Sequence, residues 1–196
     1  AAKSVKKFAQ KNPHRMMKDW PENSKSRVSH MNENDFYGNE KSITADKDFD
    51  FDIELVTKTA KTILLKKDLT ADEGEVIDVT FMSKNALRAF YEEQITETKD
   101  KDILLSLHLK ATMMKVSDPI IFGHATEIFY QDVFKKHAEV LKEAGVNPNY
   151  GLGDLYEKIE KLDEGKRKEI EEDILELYKS RPELAMVDSD KGITNL

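Results

Sequence analysis

A lysine at the predicted end of a strand is the residue of this sequence best placed to do chemistry. Alternation over Ile103–Lys110 puts Leu104, Ser106, His108 and Lys110 on one face and aliphatic side chains on the other. An amine at such a position can serve acid–base or electrostatic catalysis. Because ligands of open α/β sheets bind beyond the carboxyl ends of strands, Lys110 is a candidate catalytic residue. The alternative is a solvated strand end, which the spacing alone favours.

Helices are predicted on both sides of this strand. Ser83 has the features of an N-cap for a helix that runs to about Thr98. After the strand, Asp118 as N-cap, Pro119 in the first turn and Gly145 as a left-handed terminal residue predict one long helix. Two further helices and a short strand are predicted at Asp154–Leu162, Glu164–Ser180 and Leu184–Val187.

The region before Ser83 shows the two-residue period of strands. Phe49–Leu55, Thr62–Leu65 and Val76–Phe81 are separated by polar turns and predict an antiparallel meander. Residues 1–40 show no sustained period beyond a short helix at Ser4–Gln10, so we expect an irregular segment that packs on the rest. Residues 41–196 are predicted to form an α+β or α/β domain, a mixed β-sheet with helices packed on it.

Composition excludes several classes of function. With 196 residues, 39% of them hydrophobic, the chain can form one large globular domain or two small ones. The net charge of −7 and the absence of a long basic block indicate no nucleic-acid partner. Cysteine is absent, which excludes disulfides and thiolate chemistry and suits a reducing cytoplasm. No apolar run approaches the roughly 18 residues of a membrane span, so we expect a cytoplasmic protein without a membrane partner.

Three motifs that could bind a cofactor or metal are incomplete. Gly151-Leu152-Gly153 lacks the third glycine of a dinucleotide fingerprint, which Tyr156 replaces, so we interpret it as a loop and helix start. Asp188–Gly192 has the spacing of a calcium loop but lacks its remaining ligands. His124 and Glu127 lack a second histidine for a zinc helix. We therefore assign no metal ligand and no cofactor-binding residue to this chain.

Several ordered blocks of sequence carry a family resemblance. They are His30-Met31, Asp35-Phe36-Tyr37-Gly38, Met82–Arg88, Ser106–Ile120, Gly151–Tyr156, Leu184–Val187 and Ser189–Leu196. With these blocks the chain resembles the monomeric, NADP-dependent isocitrate dehydrogenases of bacteria along essentially its whole length. Enzymes of that family are several times longer. The resemblance therefore implies that this chain is a segment, one half of the duplicated large domain.

The same resemblance implies a divided active site. In the family, the large domain and a smaller one close on isocitrate and Mg²⁺ or Mn²⁺, and NADP binds mainly to the smaller domain. The catalytic lysine falls on Lys110, either as a proton-transfer group or as a cation. The other isocitrate and metal ligands fall outside this sequence, so the expected partner is the remainder of the same polypeptide, and we expect neither bound cofactor nor activity in this segment alone. Ser106 and His108 are either supporting groups around Lys110 or packed structural residues, the commoner case.

A stand-alone, non-catalytic binding module that kept this half-domain is the alternative hypothesis. Both ends of the sequence are abrupt, and we expect a segment of a longer chain. The gene's reading frame on either side distinguishes the two hypotheses, because only the enzyme requires the missing ligands.

Overall fold

The computed structural model describes residues 2–13, 19–109 and 113–184. Lys110, the predicted strand beyond Leu184 and the Asp188–Gly192 loop lie outside the described residues. Helices and small antiparallel sheets make up the described part, which confirms the α+β class. The helices are α1 (Lys3–Lys11), α2 (Phe36–Asn39), α3 (Lys84–Asp100), α4 (Ser117–Phe129), α5 (Gln131–Lys136), α6 (Ala138–Glu143), α7 (Gly151–Ile159) and α8 (Glu164–Ser180), with one 3-10 turn, Pro148–Tyr150. The strands are β1 (Lys41–Thr44), β2 (Phe49–Val56), β3 (Thr62–Ala71) and β4 (Val76–Val79).

The four strands form two antiparallel pairs, one nested within the other. β2 pairs with β3, and β1 pairs with β4 outside them, so the predicted simple meander is wrong. Ala45 extends the outer strand pair beyond β1. Its amide donates to the Glu75 carbonyl and its carbonyl accepts from the Gly74 amide, both at 2.8 Å. Among the described residues the only parallel pairing is an isolated bridge between Leu105 and Leu184. The single mixed sheet predicted from the sequence is therefore not formed within them.

The core lies among the helices and not between helix and sheet. Leu155 is 1% exposed, and Ile159, Ile170 and Ile174 are fully buried. These residues come from α7 and α8, and apolar residues of α3, α4, α5 and α6 complete the cluster. Burial of four large aliphatic side chains contributes on the order of 1.5–3 kcal/mol each before entropy is subtracted. The helical body is therefore the stable part of the fold.

The sequence predicted the start of α3 and the bounds of α8 accurately. The Ser83 hydroxyl accepts a hydrogen bond from the Ala86 amide, which confirms Ser83 as the N-cap of α3. The bounds of α8 are those predicted, and the Asp163 carboxylate caps it by accepting from the Lys166 amide at 2.9 Å. Gly145 adopts a left-handed φ of +73°, as expected after the last turn of α6.

The predicted long helix between Asp118 and Gly145 is wrong, because it is divided into α4, α5 and α6. The divisions fall at Tyr130 and His137, where ψ rises to 23° and 22°. Both residues direct polar side chains to α8, Tyr130 to the Tyr178 hydroxyl and His137 to the Asp173 carboxylate. Backbone bonding continues through the first division, where the Phe134 amide donates to the Tyr130 carbonyl at 3.0 Å. Asp118 lies within the first turn of α4 instead of capping it.

The chain before β1 contacts the body through α3. Arg27 pairs with Glu97, and the Lys25 ammonium donates to the Lys101 carbonyl at 3.0 Å. Hydrogen bonds from Arg27 and Lys101 lower the pKa of the Glu97 carboxyl to about 2. By contrast, every described residue of α1 is exposed. The predicted boundary at residue 40, between an N-terminal segment and the rest of the chain, stays a prediction.

None of the described helices is both long and apolar enough to span a bilayer.

Gly123 of α4 tests how closely the helices pack. A Cβ atom at this position would lie 3.1 Å from the Asn149 Cα and would overlap the Asn149 side chain. Gly123→Ala should therefore lower the free energy of unfolding by about 1–3 kcal/mol, as overpacked cores do. Gly153→Ala is the matched control on α7, because nothing lies within 4 Å of its Cβ. Urea denaturation of both variants provides the measurement, and equal stability of the two would contradict the packing.

Candidate functional site

The segment leading to Lys110 is held at two points. The Ile103 amide donates to the Thr98 carbonyl at 2.9 Å and so continues the end of α3. Two residues later, the Leu105 amide donates to the Glu183 carbonyl at 2.9 Å, within the parallel bridge to Leu184. The predicted catalytic residue, Lys110, lies outside the described residues. The described chain approaches it as far as Leu109 and resumes at Met113.

The predicted Ile103–Lys110 strand is reduced to one bridge within the described residues. Leu105 packs against the core, but Leu107 and Leu109 are 37% and 38% exposed. A strand needs a partner along its length to satisfy its backbone groups. Leu184 is the one described residue that pairs with this segment, so the alternating pattern does not become a regular strand there.

Ser106 and His108 lie beside each other at the surface of this segment. The Ser106 Oγ is 2.5 Å from the His108 Nε2, within hydrogen-bonding distance. Both side chains are exposed, so the interpretation as packed structural residues is wrong for the described structure. The contact leaves them in reach of a ligand, but their relation to Lys110 stays a prediction.

A cationic and acidic cluster joins α3 to α4, the helix that follows the lysine segment. The Arg88 Nη1 lies 2.5 Å from the Glu127 Oε2 and 3.2 Å from the His124 Nδ1. Burial lowers the pKa of His124; Glu127 opposes that effect, and the charges of Arg88 and Lys84 add to it. A neutral imidazole that accepts a hydrogen bond from Arg88 fits this environment. The cluster links the two helices and offers no zinc site, because it contains one histidine and one carboxylate.

A second polar cluster joins the α5–α6 region to α8. The fully buried His137 side chain places its Nε2 2.5 Å from the Asp173 Oδ2, and the Lys136 Nζ lies 2.7 Å from the same oxygen. Burial opposes ionisation of Asp173, but bonds and charges from Lys136 and His137 outweigh it and hold the pKa of this carboxyl below its usual range. Glu169 continues the cluster along α8 by pairing with Lys136 and Lys166.

This second cluster is the described group that comes nearest to a metal site. The ligand atoms of His137, Glu169 and Asp173 all lie within 4.8 Å of one another. However, the ammonium groups of Lys136 and Lys166 already neutralise both carboxylates, at 2.7 Å and 2.8 Å. A divalent cation would have to displace the lysines against like charge. The residues present do not fit a resident metal ion.

The glycine motif is a helix start, as predicted, but α7 spans Gly151–Ile159 instead of the predicted Asp154–Leu162, so the motif contains no loop. Gly151 begins α7 directly after the 3-10 turn, with φ at +75°. A Cβ there would lie 3.0 Å from the Phe122 ring, so this glycine permits close packing on α4. A 3-10 turn, and not a strand, comes directly before it, so the motif lacks the geometry that holds a pyrophosphate.

Sequence reasoning missed both polar clusters. The partners are 39 positions apart for Arg88 and Glu127 and 36 apart for His137 and Asp173. Neither pair has a periodic signal, because each joins two different helices. Only the His124–Glu127 spacing on α4 was visible in the sequence.

Comparison with known proteins matches the chain along its full length. The family model described as monomeric isocitrate dehydrogenase matches residues 1–196. The chain belongs to this family. The resemblance carried by the sequence blocks is thereby confirmed.

Named members of the monomeric isocitrate dehydrogenase family are similar throughout. NADP isocitrate dehydrogenase 2 of Colwellia maris is 53% identical over 196 residues, which cover 100% of this chain and 26% of that protein. NADP isocitrate dehydrogenase 2 of Mycobacterium tuberculosis is 52% identical over 195 residues, again 100% of this chain and 26% of the relative. The NADP isocitrate dehydrogenase of Azotobacter vinelandii is 52% identical over 193 residues, 98% of this chain and 26% of the relative. The chain thus spans about a quarter of the length of the curated relatives it matches.

The Asp173 cluster gives a pH dependence that can be measured. Because the folded-state pKa is lowered, its stabilisation is complete above the unfolded value of about 4 and is lost as the pH falls through the folded value. Asp173→Asn should lower the free energy of unfolding by about 1–3 kcal/mol at pH 7. That difference should shrink below about pH 4. Glu172→Gln, an exposed neighbour on α8, is the control. Denaturation from pH 3 to 8 that gave a constant difference would contradict the assignment.

Proposed function

We propose that this chain works as one part of an NADP-dependent isocitrate dehydrogenase that converts isocitrate to 2-oxoglutarate and CO₂. The observation that carries the proposal is the family match over residues 1–196, together with relatives about 50% identical whose names state this activity. The proposed substrate is isocitrate, and the proposed partner is the rest of the same polypeptide. The cytoplasmic location expected from the sequence stays a prediction.

Lys110 is the proposed catalytic residue of this part. Oxidation of a secondary alcohol requires the hydroxyl proton to leave as hydride moves to NADP, the acceptor in this reaction. A lysine amine within hydrogen-bonding distance of that hydroxyl can take the proton, or as an ammonium group it can stabilise the oxygen as negative charge develops. The described anchors at Ile103 and Leu105 support this role, because they tie the segment before Lys110 to the helical body.

The cofactor and metal are proposed to bind elsewhere in the complete enzyme. The glycine motif at Gly151 lacks the strand and turn that a dinucleotide needs, and lysines neutralise the His137 cluster. The Mg²⁺ or Mn²⁺ that the family resemblance implies therefore requires ligands other than the described residues. The proposed site is divided between this chain, which contributes Lys110, and the rest of the enzyme.

The divided site predicts that this chain has no activity alone. Purified protein of these 196 residues, supplied with isocitrate, NADP and magnesium or manganese, should form no NADPH above the rate without protein. Calorimetry should give no heat of NADP binding. The complete polypeptide encoded by the same reading frame is the positive control. Turnover by the 196-residue chain would contradict the division of the site.

Lys110 can be tested in the complete enzyme by replacement with methionine. Lys110→Met keeps much of the side chain's length but removes the amine, so kcat should fall about 10²–10⁴-fold while KM changes far less. Lys115→Met, at an exposed position five residues later, should cost far less and serves as the control. Circular dichroism checks that both variants fold. A folded Lys110→Met enzyme with near-normal kcat would leave Lys110 as the solvated end of a segment.

A further inference from the structure

We infer that Arg181 is a positioning residue for the proposed oxidation of isocitrate, because it connects the chain before Lys110 to the helices that follow. Arg181 comes directly after α8, and its side chain reaches the junction of α4 and α5. It acts through other residues and does not itself touch the substrate. The inference rests on the proposed function, since the role it assigns is a role in that reaction.

Arg181 belongs to the stretch of chain that receives the segment before Lys110. With φ at −104° and ψ at 161°, it leaves α8 in the extended conformation that a residue before proline prefers. Pro182 is buried, and Glu183 then accepts the 2.9 Å hydrogen bond from the Leu105 amide. Because one buried proline separates Arg181 from Glu183, the position of Arg181 determines where this hydrogen bond forms.

The Arg181 side chain contacts the helices on the other side of the lysine segment. Its Cζ lies 5.9 Å from the centroid of the Phe129 ring in α4, and its Nη2 lies 3.6 Å from the Asp132 Oδ2 in α5. At its start α4 is joined to the chain before it, since the Asp118 amide donates to the Met114 carbonyl at 3.0 Å. Because a helix moves as a rigid element, a contact at its end also constrains its first turn.

Stability alone does not explain an arginine at this position. The Arg181 side chain is only 17% exposed, and its Nε has no hydrogen-bond partner among the described residues. Asp132 is 72% exposed, and an ion pair with so exposed a partner adds little stability. An apolar side chain of similar length would fill the same space without the cost of removing a charge from water. The guanidinium is better explained by the elements that it joins.

The shape of a guanidinium suits this joint. Its flat face can lie against an aromatic ring while donors along its edge point to a carboxylate. The ring that it meets is itself fixed, because Phe129 is 4% exposed and lies 4.9 Å from the Tyr130 ring, measured between centroids. A lysine, with a single compact charge, cannot make both contacts in this way.

Replacement of Arg181 in the complete polypeptide encoded by the reading frame tests the inference. Arg181→Met should lower kcat for isocitrate oxidation about tenfold or more and leave KM within about twofold, because a misplacement of about 1 Å can cost 10²-fold in rate. Arg181→Lys should lie between this variant and the wild type. Arg167→Met is the matched control, because Arg167 has an equally unpartnered Nε but pairs within α8, at 3.7 Å from Glu171. It should change kcat less than about twofold.

Hydrogen exchange shows whether the loss of rate comes from the segment before Lys110. In Arg181→Met, mass spectrometry should find exchange of residues 103–109 at least about threefold faster, because the partner of the Leu105 amide is less well fixed. Arg167→Met should leave this exchange unchanged. Circular dichroism checks folding, and if Arg181→Met does not fold, the same measurements on Arg181→Lys decide.

Four outcomes overturn the inference. Equal losses of kcat in the Arg181 and Arg167 variants would reduce the effect to a general loss of stability. A raised KM with unchanged kcat would place the guanidinium on the substrate. A lower kcat without faster exchange of residues 103–109 would exclude an effect through that segment. Unchanged kcat in the Arg181 variants, when the wild type oxidises isocitrate, would refute the positioning role alone, whereas a wild-type polypeptide that forms no NADPH would refute the proposed function.

Discussion

Burial of the His137 imidazole against the Asp173 carboxylate fixes how α8 packs on the other helices. The His137 side chain is fully buried, so its Nε2 would cost folding free energy if it lacked a partner. The 2.5 Å contact with the Asp173 Oδ2 supplies that partner. Five residues further along α8, Tyr178 reaches Tyr130 through a 2.9 Å contact between hydroxyls. Between these two contacts lie Ile174 and Leu177, which are buried in the core. Polar contacts thus set the register, and apolar burial supplies most of the stability.

The lysine segment depends on that arrangement. After α8 ends at Ser180, the chain continues to Glu183, whose carbonyl accepts a hydrogen bond from the Leu105 amide, and to Leu184, the bridge partner of Leu105. On the other side, the amide of Ile103 is held by the end of α3, and α3 is joined to α4 by Arg88 and Glu127. A shift of α8 would therefore move one of the two anchors of the segment that leads to Lys110. The body's contribution to the proposed chemistry is to position this segment, which fits a site completed by other parts of the enzyme.

The sequence predicted those features that depend on neighbouring residues. Ser83 and Gly145 act at helix ends within one turn, and the predicted bounds of α8 agree with the structure, in which Asp163 caps the helix. The divisions at Tyr130 and His137 could not be predicted, because their cause lies on α8, more than 30 positions later. The nested hairpins and the single bridge at Leu105 depend on partners distant in sequence. The proposed role of Lys110 rests mainly on the family resemblance, because spacing alone favours a solvated strand end.

Chemical protection of Lys110 tests the central claim, that this lysine faces the substrate in a site shared with the rest of the enzyme. The complete enzyme would be treated with a small amine-modifying reagent, with and without isocitrate and magnesium, and modification at each lysine quantified by mass spectrometry. Bound isocitrate should slow modification of Lys110 by about tenfold or more, because its amine would be buried against the ligand, while exposed Lys115 should react equally in both conditions. Equal modification of Lys110 with and without isocitrate, in enzyme that turns over normally before treatment, would contradict the account.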